Sequence, residues 1–379
     1  MSTSNTKKVL YIAVSSETGG VPRHIAYALE KAKSFGFAVT VACPSDGAYA
    51  ETFRKLSAEY IDLPLKPYSL KSLFLLNRYV RKNGIFLVHS HGKGAGMYAR
   101  PLKFLNPGLK VVHTFHGIYV EKYSKVFRTV YLFIERELKR FTDAFVCVSE
   151  SERKEALRLD IAVSEHTFVV NNGVDVSVFH PHSVDKAGYR KQFGIPEGTY
   201  VIGCVARFDV DKGHEYLIPA FQQFVKGHPD AYLILVGDGA VKEKVAEQVR
   251  ESGLKDKVVF AGIRNDIPDI LQLFDVFVSS SLKEGMPYTL IEAMASGVPI
   301  VATDVVGNRD VVIDGITGRL VAAKNPDAIY EGLQKTVSNR TEAEKFAMNG
   351  ISYVKKEFTV DKSVERLFGI YQALAGDRS

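Results

Sequence analysis

The 379-residue chain predicts an α/β protein with two doubly wound, Rossmann-like parallel-sheet domains, on three observations. Short apolar, β-branched runs alternate with longer amphipathic stretches from end to end. The series stops and then restarts after residue 198. A polar segment rich in proline and glycine separates the two sets. Alternation of this kind, with continuously apolar strands, produces parallel sheets covered by helices on both faces. Hydrophobic residues make up 46% of the chain, which can fill two cores at this length.

In the first set the strand-like runs are Val9–Val14, Ala38–Cys43, Ile85–His89, Lys110–Phe115, Ala144–Val148 and Thr167–Val170. In the second they are Tyr200–Ala206, Tyr232–Val236, Val258–Phe260, Val276–Ser279, Ile300–Thr303 and Gly318–Val321. Between them Phe179–Thr199 holds Pro181, Gly188, Gly194, Pro196 and Gly198, which reads as a linker. The expected domains are therefore 1–180 and 199–360, joined by 181–198. The closing segment, 361–379, is expected as a helix returning toward the first domain.

Several classes are disfavoured at once. No apolar run is long enough for a membrane span or a signal-peptide core, so a cytoplasmic protein is expected. Cys43, Cys147 and Cys204 lie far apart in strand-like segments and read as buried thiols. No CxxC pair or Cys/His cluster suggests zinc, and no metal or other cofactor is expected. The net charge is +6, unevenly spread: residues 1–180 carry 25 Lys+Arg against 16 Asp+Glu, and the remainder 24 against 27. One half therefore faces something anionic or simply presents a solvated basic surface. Without a helix-turn-helix, RNP or zinc-finger pattern, nucleic acid is not the expected partner.

In doubly wound folds ligands bind beyond the carboxyl ends of the strands, and four motifs sit there. The first runs from Ser281 through Glu284, Gly285, Met286, Pro287, Tyr288, Thr289 and Leu290 to Glu292 and Gly297. It follows a strand and opens a helix, with Pro287 suited to the first turn and Gly297 to the stop. Free amides near Tyr288 and Thr289 would face a phosphate. Glu284, in the loop, can accept hydrogen bonds from sugar hydroxyls, and Glu292, inside the helix, from a ribose. Read bluntly, the two are a helix-start charge and a surface charge. The second motif is Arg207…Asp209-Val-Asp211-Lys212-Gly213, after the first strand of the second set. Arg207 and Lys212 can neutralise a diphosphate leaving group without metal. Asp209 and Asp211 imitate a manganese-binding DxD pair, but within a basic loop.

The third motif is Gly19-Gly20, where a bare backbone can approach a ligand at a helix start. It is not GxGxxG, and no acidic residue ends the next strand, which argues against NAD. The fourth pairs His89-Ser90-His91 with Thr114-Phe115-His116-Gly117 at the ends of successive strands. His116 is the stronger candidate for the site and His91 the weaker, on the acceptor side. Neither a P-loop nor a hydrolase elbow is visible.

Taken together, Arg207…Lys212-Gly213, Val236-Gly237-Asp238-Gly239, Val259-Phe260-Ala261-Gly262, Glu284-x7-Glu292-Ala293-Met294-Ala295 and Gly19-Gly20 resemble glycosyltransferase family 4, retaining enzymes of the GT-B fold. The resemblance spans nearly the whole chain. It implies two domains facing across a cleft and a nucleotide-sugar donor, UDP-linked. It also implies Arg207 and Lys212 on the diphosphate, Glu292 on the ribose and Glu284 on the transferred sugar. Gly262, Ile263 and Arg264 would lie near the base, with Gly19, Gly20, Gly285, Met286, Tyr288, Thr289 and Leu290 around the donor and His116 near the anomeric centre. The chain departs from the family at Gly285-Met286-Pro287, where many members have a Gly-Phe-Gly-like stretch; Pro287 has no N–H, so contacts there must come from its neighbours.

For the acceptor, two basic amphipathic stretches are informative. In Ser69–Lys82, Lys71, Arg78, Arg81 and Lys82 flank Leu73, Phe74, Leu75 and Leu76. In Lys122–Arg140, Lys125, Arg128, Arg136, Lys139 and Arg140 surround Phe127, Val130, Tyr131 and Ile134. Such faces suit an anionic membrane surface or are ordinary core helices with solvated lysines. A polyprenyl-diphosphate-linked saccharide is the expected acceptor. A soluble sugar, a sugar-nucleotide epimerase and a non-catalytic donor-binding protein are the competing readings.

Overall fold

A computed structural model of the chain describes residues 6–118, 120 and 123–376. Its contacts divide the chain into two units. One takes the residues up to Asn172 and those from Val360 onward, and the other is Gly173–Thr359.

The first unit is built on β1 (Lys7–Ala13), β2 (Phe37–Cys43), β3 (Glu59–Asp62), β4 (Leu87–His91), β5 (Lys110–Thr114), β6 (Ala144–Cys147) and β7 (Thr167–Val169). They form one parallel sheet in the order β3-β2-β1-β4-β5-β6-β7. Val9, Leu10, Tyr11 and Ile12 of β1 are all fully buried, because helices cover both faces of the sheet. The helix Val360–Leu374 completes this core, placing Val364, Leu367, Phe368 and Tyr371 against β1 and β2. Phe368 stacks on Phe35 and Phe37 at 5.0 and 5.3 Å between centroids, and burying each such side chain is worth about 1.5–3 kcal/mol.

Strands β3 and β4 are among those that differ from the sequence reading. Strand β3 was not expected: Glu-Tyr-Ile-Asp has no apolar run, and as an edge strand it pairs only with β2. Strand β4 starts and ends two residues later than the run Ile85–His89, so its last three residues are His, Ser and His. These polar side chains are buried because neighbouring strands satisfy them. His89 Nε2 meets Thr114 Oγ1 at 2.7 Å and Ser90 Oγ meets His113 Nδ1 at 2.8 Å.

The second unit is built on β8 (Tyr200–Val205), β9 (Ala231–Val236), β10 (Val258–Gly262), β11 (Val276–Ser279), β12 (Ile300–Thr303) and β13 (Arg319–Val321). They form a second parallel sheet ordered β10-β9-β8-β11-β12-β13. Within 181–198, the helix Lys186–Phe193 is capped by Asp185 and ended by Gly194 at φ 67°. Tyr189 fastens it to this unit by hydrogen bonds to Asp266 (2.9 Å) and Asp269 (3.1 Å).

Two Rossmann-like parallel sheets of this topology make a GT-B fold. In each, the direction of strand addition reverses once, between β1 and β4 and between β8 and β11. Loops diverge at such a point and leave a crevice beyond the strand ends, which is where a ligand fits.

Candidate active site

In the second unit the loops after β8 and β11 meet at the switch point. Lys212, from the β8 loop, donates from Nζ to Glu284 Oε1 at 2.5 Å, and Glu284 belongs to the β11 loop. Their side chains are 20% and 10% exposed, so the pair is mostly withdrawn from water. Ser281 donates its hydroxyl to the same carboxylate oxygen at 2.7 Å. The loops are also laced together by backbone: Leu282 N–H reaches Asp211 O at 2.7 Å, and Ser280 Oγ donates to Lys212 O at 2.9 Å.

Close approach dictates two glycines here. Gly213 has φ +63°, and a Cβ on it would lie 2.1 Å from Ser280 O. Gly307, after β12, has φ +88°, and a Cβ there would lie 2.7 Å from Glu284 Cβ. Any other residue would combine a left-handed backbone with a clash. Lys212 and Glu284 are thus held from both sides by main chain that admits no side chain.

From Glu284 the chain passes through half-buried Gly285 and buried Met286 to Pro287, then into the helix Tyr288–Ala295. Pro287 is the cap residue (φ −76°, ψ 117°) rather than part of the first turn. Its extended ψ suits a residue before the helix, and its missing N–H removes no capping bond. The first-turn amides are therefore those of Tyr288, Thr289 and Leu290, where the helix dipole favours negative charge. Glu292 lies one turn in and is buried, with Leu290 fully buried beside it. The bland reading of Glu292 as a surface charge is overturned.

Other expected residues are placed differently. Arg207 is 65% exposed and its guanidinium is paired with Asp209 at 2.8 Å, so it does not reach Glu284. Gly262 closes β10, and Ile263 after it projects outward, 74% exposed. Arg264 is engaged in a two-pronged ion pair with Asp266 at 2.8 and 2.5 Å.

In the first unit the switch point gathers histidines. Gly19 caps and Gly20 begins the helix Gly20–Ala32, and a Cβ on Gly19 would meet only Pro22 Cδ at 4.0 Å. The protein's own packing leaves that backbone bare. One turn on is His24, which the sequence reading missed: a single histidine on an amphipathic helix carries no signal by itself. His91 ends β4, and His116 follows β5 with φ +57°, a left-handed conformation that a non-glycine residue holds only under constraint. The constraint is visible. The buried Glu152 carboxylate accepts from Gly117 N and, at 2.7 Å, from Val148 N, pinning the turn.

One ring nitrogen from each of His24, His91 and His116 lies within 4.8 Å of the others, and His91 Nδ1 is 3.1 Å from His116 Nε2. The sequence reading that no histidine cluster exists is therefore corrected, because three distant segments converge at strand ends. Burial holds all three neutral. The His24 pKa falls to about 4, and those of His91 and His116 fall well below the ordinary imidazole value.

The basic stretches are helices Leu70–Asn83 and Lys125–Leu138; Lys122, at the start of the second stretch, lies outside the described residues. Leu73 and Leu76 enter the core, whereas Leu70, Phe74 and Leu75 are exposed. On the second helix Val126, Phe127, Val130 and Phe133 are exposed, and Leu132 and Glu135 are buried. Glu135 pairs with Arg100 at 2.7 Å, tying this helix to Lys93–Leu105. Among the described residues no helix is long and apolar enough to cross a membrane.

Two parallel sheets of this topology, with a charged crevice at the second switch point, are the GT-B architecture. Family models agree: residues 18–178 match Glycosyltransferase Family 4, and residues 185–353 match Glycosyl transferases group 1. The chain belongs to these glycosyltransferases. It is 25% identical over 380 residues to the UDP-Gal:alpha-D-GlcNAc-diphosphoundecaprenol alpha-1,3-galactosyltransferase of Escherichia coli, covering 98% of each. It is 29% identical to the lipopolysaccharide core biosynthesis mannosyltransferase LpsB of Rhizobium meliloti, over 54% of this chain and 60% of that one. In structure it is similar to Anabaena HepE, solved in complex with UDP and glucose. The TM-score is 0.87 at 20% identity, over 97% of this chain and 100% of the other.

Proposed function

We propose that the protein transfers a hexosyl group from a UDP-linked sugar to a hydroxyl of a saccharide carried on polyprenyl diphosphate, in surface polysaccharide or glycan assembly. Configuration is retained and no divalent metal takes part in the step. The observation that carries the donor side is the withdrawn Lys212–Glu284 pair beside the first-turn amides of Tyr288–Ala295. A cation, helix-start amides and a carboxylate in one crevice match a diphosphate joined to a sugar.

In this reading Lys212 and Arg207 carry the diphosphate charge, with Arg207 exchanging Asp209 for phosphate. Glu284 takes the transferred sugar and Glu292 the ribose. Gly262, Ile263 and Arg264 lie by the base, and His116 beside the anomeric carbon. The bond from that carbon to the phosphate oxygen breaks as the acceptor oxygen bonds on the same face. The acceptor's proton passes to the leaving phosphate, whose charge Lys212 and Arg207 stabilise. Asp209 and Asp211 need hold no metal.

For the acceptor, the full-length similarity to a transferase whose name specifies a diphosphoundecaprenol-linked sugar supports a lipid carrier. The exposed Leu70, Phe74, Leu75, Val126, Phe127, Val130 and Phe133, with Lys71, Arg78, Lys82, Lys125 and Arg128 on the same helices, support work at an anionic surface. That surface is the cytoplasmic face of a membrane, where sugar nucleotides are available.

The test supplies the purified chain with a panel of UDP-sugars and either GlcNAc-diphosphate-polyprenol or a soluble saccharide. Mass spectrometry identifies the product, and the anomeric coupling in its NMR spectrum gives the stereochemistry. The expected result is an α-configured glycolipid from an α-linked donor. Turnover on the soluble acceptor alone, or an inverted product, overturns the reading.

A further inference from the structure

We propose that His24, His91 and His116 of the first unit form a three-imidazole binding site for a transition-metal ion of the zinc class. Each residue offers one ring nitrogen within 4.8 Å of those of the other two. His91 Nδ1 and His116 Nε2, 3.1 Å apart, are already near the ~3.3 Å that two nitrogens adopt on a tetrahedral ion with ~2.0–2.1 Å bonds. The pairs that include His24 lie within 4.8 Å, and His24 is the one of the three on a helix rather than at a strand end.

His91 Nδ1 and His116 Nε2 share a hydrogen bond at 3.1 Å, but His24 Nε2 is buried without a hydrogen-bond partner among the described residues. Buried polar atoms in folded proteins are nearly always satisfied, and an ion held by all three imidazoles would satisfy it. The ligand set is nitrogen only, which favours zinc, cobalt, nickel and copper over magnesium or calcium. It also leaves a further coordination position open.

Two neighbouring histidines do not join the site. Both nitrogens of His89 are taken, by Tyr371 and Thr114. His113 is bonded to Ser90 and feels the buried Arg100 guanidinium, which repels a cation. An ion on the triad would hold His116, so it would compete with sugar there. That consequence rests on the role proposed for His116; the binding itself does not.

The test is titration of the full, chelator-stripped chain with Co2+, read by visible d–d absorption and by calorimetry. One equivalent is expected to bind with the intense visible band of a low-coordinate site, and Zn2+ should abolish the band by displacement. His24→Gln and His91→Gln should each weaken binding by more than about tenfold, since even a lost supporting hydrogen bond costs a ligand histidine about that much. Circular dichroism and thermal unfolding establish that the variants fold; the ion should raise the unfolding temperature of the wild type and not of the variants. If the wild type gives no band, the proposal fails. It fails equally if folded His24→Gln and His91→Gln bind Co2+ as the wild type does, which would locate the ion elsewhere, for example at His180 and His182.

Discussion

Replacing Lys212 by methionine separates a structural from a catalytic role for the pair at the second switch point. Methionine keeps the bulk of the stem and removes the charge. Glu284 would then keep the Ser281 hydroxyl as a donor, at 2.7 Å, for a carboxylate whose side chain is 10% exposed. Breaking a fully buried pair costs about 3–5 kcal/mol and an exposed one about 0–1 kcal/mol. With side chains 20% and 10% exposed the expected loss lies between, at about 2–3 kcal/mol. For a unit of this size that lowers its unfolding temperature by roughly 4–12 °C. Adding Glu284→Gln removes the stranded charge while retaining an acceptor for Ser281, so the double variant should recover most of the stability. Turnover should not recover: the diphosphate has lost its cation, a loss of roughly 100- to 1,000-fold. The assays are thermal unfolding followed by fluorescence, and acceptor-dependent UDP release. A single variant as stable as the wild type, or a double variant with restored turnover, would refute the reasoning.

Arg207→Ala should lower turnover by roughly two orders of magnitude and leave unfolding unchanged, because the side chain is exposed and its ion pair with Asp209 is a surface one; near-normal turnover would remove it from the site. Glu292→Ala should weaken free UDP as well as the sugar nucleotide, whereas Glu284→Ala should spare free UDP and damage sugar-dependent binding and turnover, as calorimetry can read; equal losses for free UDP would reverse the assignment. Transfer should persist in excess EDTA, and activity lost there and restored by manganese would return Asp209 and Asp211 to the site. The wild type should sediment with anionic vesicles at low salt and little with neutral ones, at about 1 kcal/mol per basic residue near the surface. Conversion of Lys71, Arg78, Lys82, Lys125 and Arg128 to glutamate should abolish this while donor binding remains. Failure of the wild type to bind anionic vesicles would move the soluble acceptor ahead.

What the sequence made legible follows from which interactions are local. Strands such as Val9–Val14 and Tyr200–Ala206 announce themselves because both faces are buried and every residue is apolar. Glu59–Asp62 does not, since an edge strand needs only one partner's backbone and its side chains stay wet. The motif Glu284-x7-Glu292 was readable because the helix start that gives it meaning lies within it. Its electrostatic partner Lys212 was recognisable as a candidate, but not the 2.5 Å contact between them, which depends on β8 and β11 becoming neighbours. Arg207 shows the opposite limit: its type suited a diphosphate, yet in this structure it answers to Asp209, two residues away. His24 was invisible because its significance depends on His91 and His116, contributed by two other segments. Glu152, which pins the His116 turn, was missed for the same reason.

The most direct test of the central claim is a crystal structure of the full chain with UDP bound. The account predicts the diphosphate at the amino end of the helix Tyr288–Ala295, against the amides of Tyr288 and Thr289. Lys212 Nζ should contact a phosphate oxygen, and Glu292 the ribose. UDP bound away from the β8–β11 switch point, or a site there that stays empty at saturating UDP, would contradict it.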